Sequence, residues 1–253
     1  MIETSKFIHQ DTGRVLAFAA HPDDLDFGAA GTIAAMTAAG IEVQYCIMTD
    51  GDAGGFDDRD PAETARLRHQ EQKDAAARVG VHTVHFLGER DGYLEPSHHV
   101  MEQVVRLIRQ FKPTIVMSLH PERNWQSMQR SHPDHLACGE AVTRAIYPAV
   151  ENPFAYPQLL AEEGLEAYKV PWLWLYAAPA ERENAFVQID GFFDAKMEAI
   201  KAHLTQHPDV QAMERFVRNQ CEHNAQRGML PAGSVAEAFH VVAVNAADAI
   251  AGF

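Results

Sequence analysis

Val15-Leu16-Ala17-Phe18-Ala19-Ala20 runs directly into His21-Pro22-Asp23-Asp24. An unbroken apolar run of this length reads as a strand buried on both faces, as at the centre of a parallel sheet. It stops on an imidazole and two carboxylates. Polar chemistry therefore sits at the carboxyl end of a buried strand, where open parallel sheets bind their ligands.

Outward from this stretch, short apolar runs alternate with longer amphipathic ones. Residues 27–39 read as a helix closed by Gly40. Strands follow at 41–48, 81–87 and 114–119, and helices at 62–79, 100–111 and 135–146. This alternation predicts an α/β, Rossmann-like fold: a mostly parallel sheet with helices on both faces, in a single domain. Beyond residue 146 the pattern loosens. Pro148, Pro153, Pro157 and Pro171 break regularity over 147–171, which reads as a surface excursion or a lid. A strand at 172–178, helices at 192–207 and 210–224, and a strand at 239–244 complete the reading.

Lys plus Arg number 21 and Asp plus Glu 35 in 253 residues, a formal net charge of −14 with no basic stripe. Such a field repels phosphate backbones and argues against nucleic acid as a partner. No apolar run approaches the roughly 18 residues of a membrane span, and the N-terminus lacks the pattern of a secretory signal. Cys46, Cys138 and Cys221 are far apart and form no CxxC pair. They read as reduced thiols of a cytoplasmic protein.

A second polar cluster, His132-Pro133-Asp134-His135, follows the fourth predicted strand and opens a helix. If the sheet winds outward in both directions from the first strand, the first and fourth strands are neighbours. The two clusters then face one crevice. Either cluster alone reads as a capped turn, with Asp23, Asp24 or His132 as the cap. Together they supply a metal site. His21, Asp24 and His135 can provide two nitrogens and one oxygen for Zn²⁺, with a position left open. Asp23 remains to take a proton from water at the metal. His132 remains to polarise a carbonyl or protonate a leaving amine. Asp134 can orient an imidazole. The run Asp50 to Gly55 fails as a calcium loop because Pro61 stands where a bidentate Glu is needed. Gly28 and Gly31 lack the full dinucleotide fingerprint.

Ala20-His21-Pro22-Asp23-Asp24 with Gly28 and Gly31-Thr32, and His132-Pro133-Asp134-His135, resemble the two signatures of the LmbE/PIG-L family of zinc-dependent N-deacetylases. Thr49-Asp50-Gly51, Arg68-His69-Gln70-Glu71, the spacing of Lys196, Ala199, His203 and Gln206, and Ala236-Glu237-Ala238-Phe239 extend the resemblance over nearly the whole chain, 1–253. The resemblance implies that His21, Asp24 and His135 bind Zn²⁺ or another divalent ion. It implies that Asp23 is the general base, that His132 is the electrophile or acid, and that Arg68 binds substrate. It also implies an N-acyl amino sugar as substrate and allows a homo-oligomer. Leu25-Asp26 departs from the acidic residue that many members carry after the two aspartates, and resembles bacillithiol-type and chitobiose-type deacetylases. Arg130 stands where some members have Tyr, and can bind an anionic substrate. Two variants stay open: an amidase acting on a thiol-sugar conjugate, and a non-catalytic metal-binding relative. A sugar- or nucleotide-binding module without metal is the competing class.

Overall fold

The computed structural model describes residues 7–8, 13–55, 58–207 and 209–245. In chain order the elements are β1 (Arg14–Ala19), α1 (Asp24–Ala38), β2 (Glu42–Thr49), α2 (Pro61–Arg78), β3 (Thr83–Glu89), α3 (His98–Phe111), β4 (Ile115–Leu119) and α4 (Pro133–Arg144). They continue with α5 (Pro157–Glu163), β5 (Trp172–Tyr176), β6 (Ala185–Gln188), α6 (Phe193–Lys201), α7 (Val210–Arg227) and β7 (Ala236–Ala243). A single α/β domain results, with a seven-stranded sheet ordered β3-β2-β1-β4-β5-β7-β6. The first five strands in that order are parallel, while β7 runs antiparallel to both β5 and β6.

The chain reverses direction across the sheet between β1 and β4, so the ends of these two strands frame the switch-point crevice. Both strands are buried along nearly their whole length, which is why their sequences are continuously apolar instead of alternating. Helices α1 and α2 pack with α6 and α7 lies on β7, whereas α3 and α4 pack on each other and on β1.

α1 starts at Asp24, three residues before the periodicity predicts, because the acidic residues of the motif are themselves its first turn. The helix is buried with almost no polar face. Gly28 permits its closeness to the sheet: a Cβ there would lie 2.3 Å from the Tyr176 ring. α6 ends at Lys201, well short of the expected 207, and turns replace its last stretch. β6 was not expected. It is four residues long, too short for a periodic signal. β7 begins at Ala236, earlier than expected, and its Glu237 is a buried acid that masks the strand pattern.

The 147–171 segment contains α5 and inserts Val150, Leu159 and Val170 into the core. Its anchor is Arg109 of α3, 1% exposed, whose guanidinium donates to the carbonyls of Ala149, Val150, Asn152 and Ala155. Tyr168 donates to the Pro113 carbonyl just before β4. No helix among the described residues is long and apolar enough to cross a membrane.

Candidate active site

The turn after β1 is fastened before any ligand is considered. Asp24 Oδ2 accepts from the backbone N–H of Ala20 at 3.1 Å and of His21 at 2.8 Å. Asp23 sits in the left-handed region, with φ of 109°. That conformation costs a non-glycine residue free energy unless its surroundings impose it. They do so here. Asp23 N–H donates to Gln72 Oε1 at 2.8 Å, and Arg68 donates to the Pro22 carbonyl at 2.6 Å. Asp23 occupies the N-cap position, yet its side chain makes no capping bond. The capped-turn reading of Asp23 therefore fails, and its Oδ2 lies instead 3.5 Å from Arg68 and 3.5 Å from His207.

At the end of β4 a loop and a short 3₁₀ turn (Met128–Ser131) lead to α4. His132 is the N-cap and Pro133 the first helical residue. His132 Nδ1 accepts from Asp134 N–H at 3.3 Å, which leaves the ring proton on Nε2. His135 Nδ1 lies 3.2 Å from the Arg130 carbonyl and donates to it, so its Nε2 carries the lone pair. His21 Nε2 lies 3.1 Å from Asp134 Oδ2 and 3.2 Å from Asp91 Oδ1, so its lone pair is on Nδ1.

Those two lone pairs meet. His21 Nδ1 and His135 Nε2 are 3.3 Å apart, and Asp24 Oδ1 is 3.0 Å from His135 Nε2. The donor atoms of His21, Asp24 and His135 all lie within 4.8 Å of one another. Neutral imidazoles cannot satisfy each other lone pair to lone pair, but a cation between them satisfies both together with the carboxylate. His21, His132 and Asp134 form a second group within the same distance. Its carboxylate, Asp134, is already engaged by His21 Nε2 and by the N–H groups of Gly92 and Leu94.

The electrostatics point the same way. Burial works against charge on His21, but its hydrogen bonds to the Asp134, Asp24 and Asp91 carboxylates override that and push its pKa up to about 12. Burial is likewise overridden at His135 by the charge of Asp24, which raises it. Asp24 is held well below the usual carboxylate range, against burial, by His135 and His21. With only protons available, the cluster keeps positive charge on its imidazoles; a metal supplies it while leaving them neutral. His132 moves in the opposite direction, lowered by burial and by repulsion from His21.

Asp134 is fully buried and also accepts from Gly92 and Leu94 N–H, which pins the loop after β3 to α4. The same carboxylate lies 3.1 Å from His21 Nε2. Arg130 is half-buried and lines a cavity of about 360 Å³ that opens from Asp24 and His135. The resemblance implies that Arg68 binds substrate. It is 4% exposed, with its terminal nitrogens on the Pro22 and Gly51 carbonyls and 3.5 Å from Asp23 Oδ2. In this arrangement it holds the turn that presents Asp23. Glu71, three residues on, is bound instead to Thr205.

Three contributors escaped the sequence reading. Asp91 follows β3 and shares His21 with Asp134; its place just past a strand end was the available signal. Gln72 bridges Asp23 and Asp26, and His207 Nε2 lies 3.5 Å from Asp23 Oδ2. Nothing in local sequence marks either. His203 and Asp26 form a fully buried pair at 2.8 Å, and Lys196 and Glu237 another at 2.7 Å. Glu237 also accepts from Gly31 and Thr32 N–H. These are the dispersed C-terminal positions of the resemblance, and they brace α1 from behind.

Known proteins resemble this chain in sequence and fold. Residues 16–146 match the PIG-L family, described as GlcNAc-PI de-N-acetylase. The chain is 32% identical to a diacetylchitobiose deacetylase of Thermococcus kodakarensis over 200 residues, which cover 79% of this chain and 72% of the relative. It is 28% identical to a probable N-acetyl-α-D-glucosaminyl L-malate deacetylase 2 of Bacillus subtilis, over 83% of this chain and 89% of the relative. The solved N,N'-diacetylchitobiose deacetylase of Pyrococcus horikoshii superposes with a TM-score of 0.83 at 28% identity, covering 91% of this chain and 84% of that one. With the signature residues converging at the switch point of the same fold, the chain belongs to the PIG-L family of deacetylases.

Proposed function

We propose that the protein hydrolyses the N-acetyl group of an N-acetylglucosamine-containing small molecule, and that it does so with a divalent metal held by His21, Asp24 and His135. The observation that carries this reading is the convergence of His21 Nδ1, His135 Nε2 and the Asp24 carboxylate on one point. Two neutral nitrogens and one carboxylate suit Zn²⁺ with a position left open, and other divalent ions accept the same donors. When bound, the metal polarises the amide carbonyl and makes water more acidic.

The side chains do the remaining work. Asp23, held out of the helix by Gln72 and Arg68, takes a proton from the attacking water. His132, with its proton on Nε2, donates a hydrogen bond to the carbonyl oxygen as charge builds there, and the proton that Asp23 takes from water passes to the departing nitrogen. Asp134 and Asp91 fix the His21 ring. Arg130 faces the substrate from the cavity wall, and Arg68 acts through the turn that it holds. The C–N bond breaks, the water oxygen ends in acetate, and the nitrogen leaves as the free amine. The C-terminal ion pairs that reach into α1 support treating 1–253 as one deacetylase domain. The three free, buried cysteines support a cytoplasmic setting.

Acetate release from N-acetylglucosamine derivatives is the test, measured on zinc-loaded protein before and after chelation. Release should require the metal, stop on chelation and return on readdition. No release from a broad panel by metal-loaded protein would overturn the reading.

A further inference from the structure

The cavity that opens from Asp24 and His135 is larger than an acetyl group requires. Its volume of about 360 Å³ is of the size that seats small molecules. One wall is α7, where Phe216, Gln220 and Asn224 recur every fourth residue and so share a face. Gln129 and Arg130 line it from the 3₁₀ turn, and Glu183 from the loop between β5 and β6.

Both cations of this lining, Arg130 and Lys196, have acidic neighbours. Glu183 pairs with Arg227 and lies close enough to Arg130 to feel its charge. Lys196, at the base, is spent on Glu237 and on the carbonyls of Asp26 and Phe27. A carboxylate entering here would leave water for a wall where Glu183 already competes for Arg130. The net charge of −14 adds long-range repulsion.

The neutral groups suit a different ligand. Amide side chains both donate and accept, as hydroxyls do. Asn224 uses its N–H on the Ala236 carbonyl, which leaves its oxygen to accept. Phe216 is 59% exposed at the cavity wall and offers an aromatic face to the C–H side of a sugar ring.

We propose that this cavity seats the aglycone and selects an uncharged, polyhydroxylated one, such as a second sugar, over one bearing carboxylates. The assignment rests on the deacetylase reading above. The test compares kcat/KM of the metal-loaded full chain on N-acetylglucosamine, on neutral N,N'-diacetylchitobiose and on N-acetylglucosaminyl malate. The disaccharide should lead the malate conjugate by about tenfold or more, and the double variant Gln220→Ala, Asn224→Ala should lower the disaccharide-to-monosaccharide ratio about tenfold through KM. Glu183→Gln should narrow the gap between the disaccharide and the malate conjugate. Preference for the malate conjugate would overturn the assignment and leave the deacetylase reading standing. So would a disaccharide-to-monosaccharide ratio that the double variant does not move, or a preference for long N-acyl chains that it abolishes. Failure to release acetate from all three probes would remove both.

Discussion

The two halves of the chain meet at α1 and contribute differently to the site. Residues 14–144 carry His21, Asp23, Asp24, Asp91, His132, Asp134 and His135 at the carboxyl ends of parallel strands. The second half supplies the brace beneath α1, the wall of α7 across the cavity, and His207 beside Asp23. The cluster is fixed by backbone amides and short contacts. The cavity wall is a helix face whose side chains can change without touching the cluster. The family match is confined to 16–146, and relatives within it are named for different conjugates of the same sugar. Under the proposed function, the first half carries the chemistry and the second lines the cavity beside it.

The comparison breaks most severely at the cluster. His135→Ala removes a nitrogen donor, and the expected result is loss of both bound metal and acetate release, measured by elemental analysis and assay on the same sample. The brace comes next. Glu237→Ala leaves Lys196 buried without its partner, and removing one member of a buried pair costs about 3–5 kcal/mol. Urea unfolding should show that loss; an unchanged midpoint would mean that the second half does not brace the first.

Gln72→Ala sharpens the division within the first half. Gln72 is fully buried and touches Asp23 only through its backbone N–H. Releasing that bond lets the left-handed turn relax, and misplacing a reacting group costs about tenfold to a hundredfold in kcat. Metal content should stay level. The smallest effect concerns His203, which hydrogen bonding and charge from Asp26 raise against the effect of burial. A raised folded-state pKa adds stability that is complete below the unfolded value of about 6.5 and is lost as pH rises through the folded value. In thermal melts, the advantage of the native protein over His203→Gln should shrink as the solution is made alkaline.

The sequence makes the first half legible because β1 and β4 are long apolar runs and each ends in a chemical signature. Their adjacency follows once the sheet winds outward in both directions from β1, as it does here, and the meeting of His21 with His135 follows with it. The second half resists the same treatment. β6 spans only Ala185–Gln188, α6 ends at Lys201 where a longer helix is predicted, and Glu237 is an acid inside a strand. Its partners lie far away in sequence, at Gly31, Thr32 and Lys196. Arg68 shows a related limit. The family resemblance implies that it binds substrate, and only the fold reveals that the Pro22 and Gly51 carbonyls occupy its nitrogens.

The division of roles within His21-Pro22-Asp23-Asp24 is the central claim, and Asp23→Ala tests it most directly. Bound metal and acetate release are to be measured together on the purified variant. Metal should remain at the native level while turnover falls by about a hundredfold to ten-thousandfold, the range of a general base. Loss of the metal along with the activity would contradict the account, because Asp23 would then be a ligand.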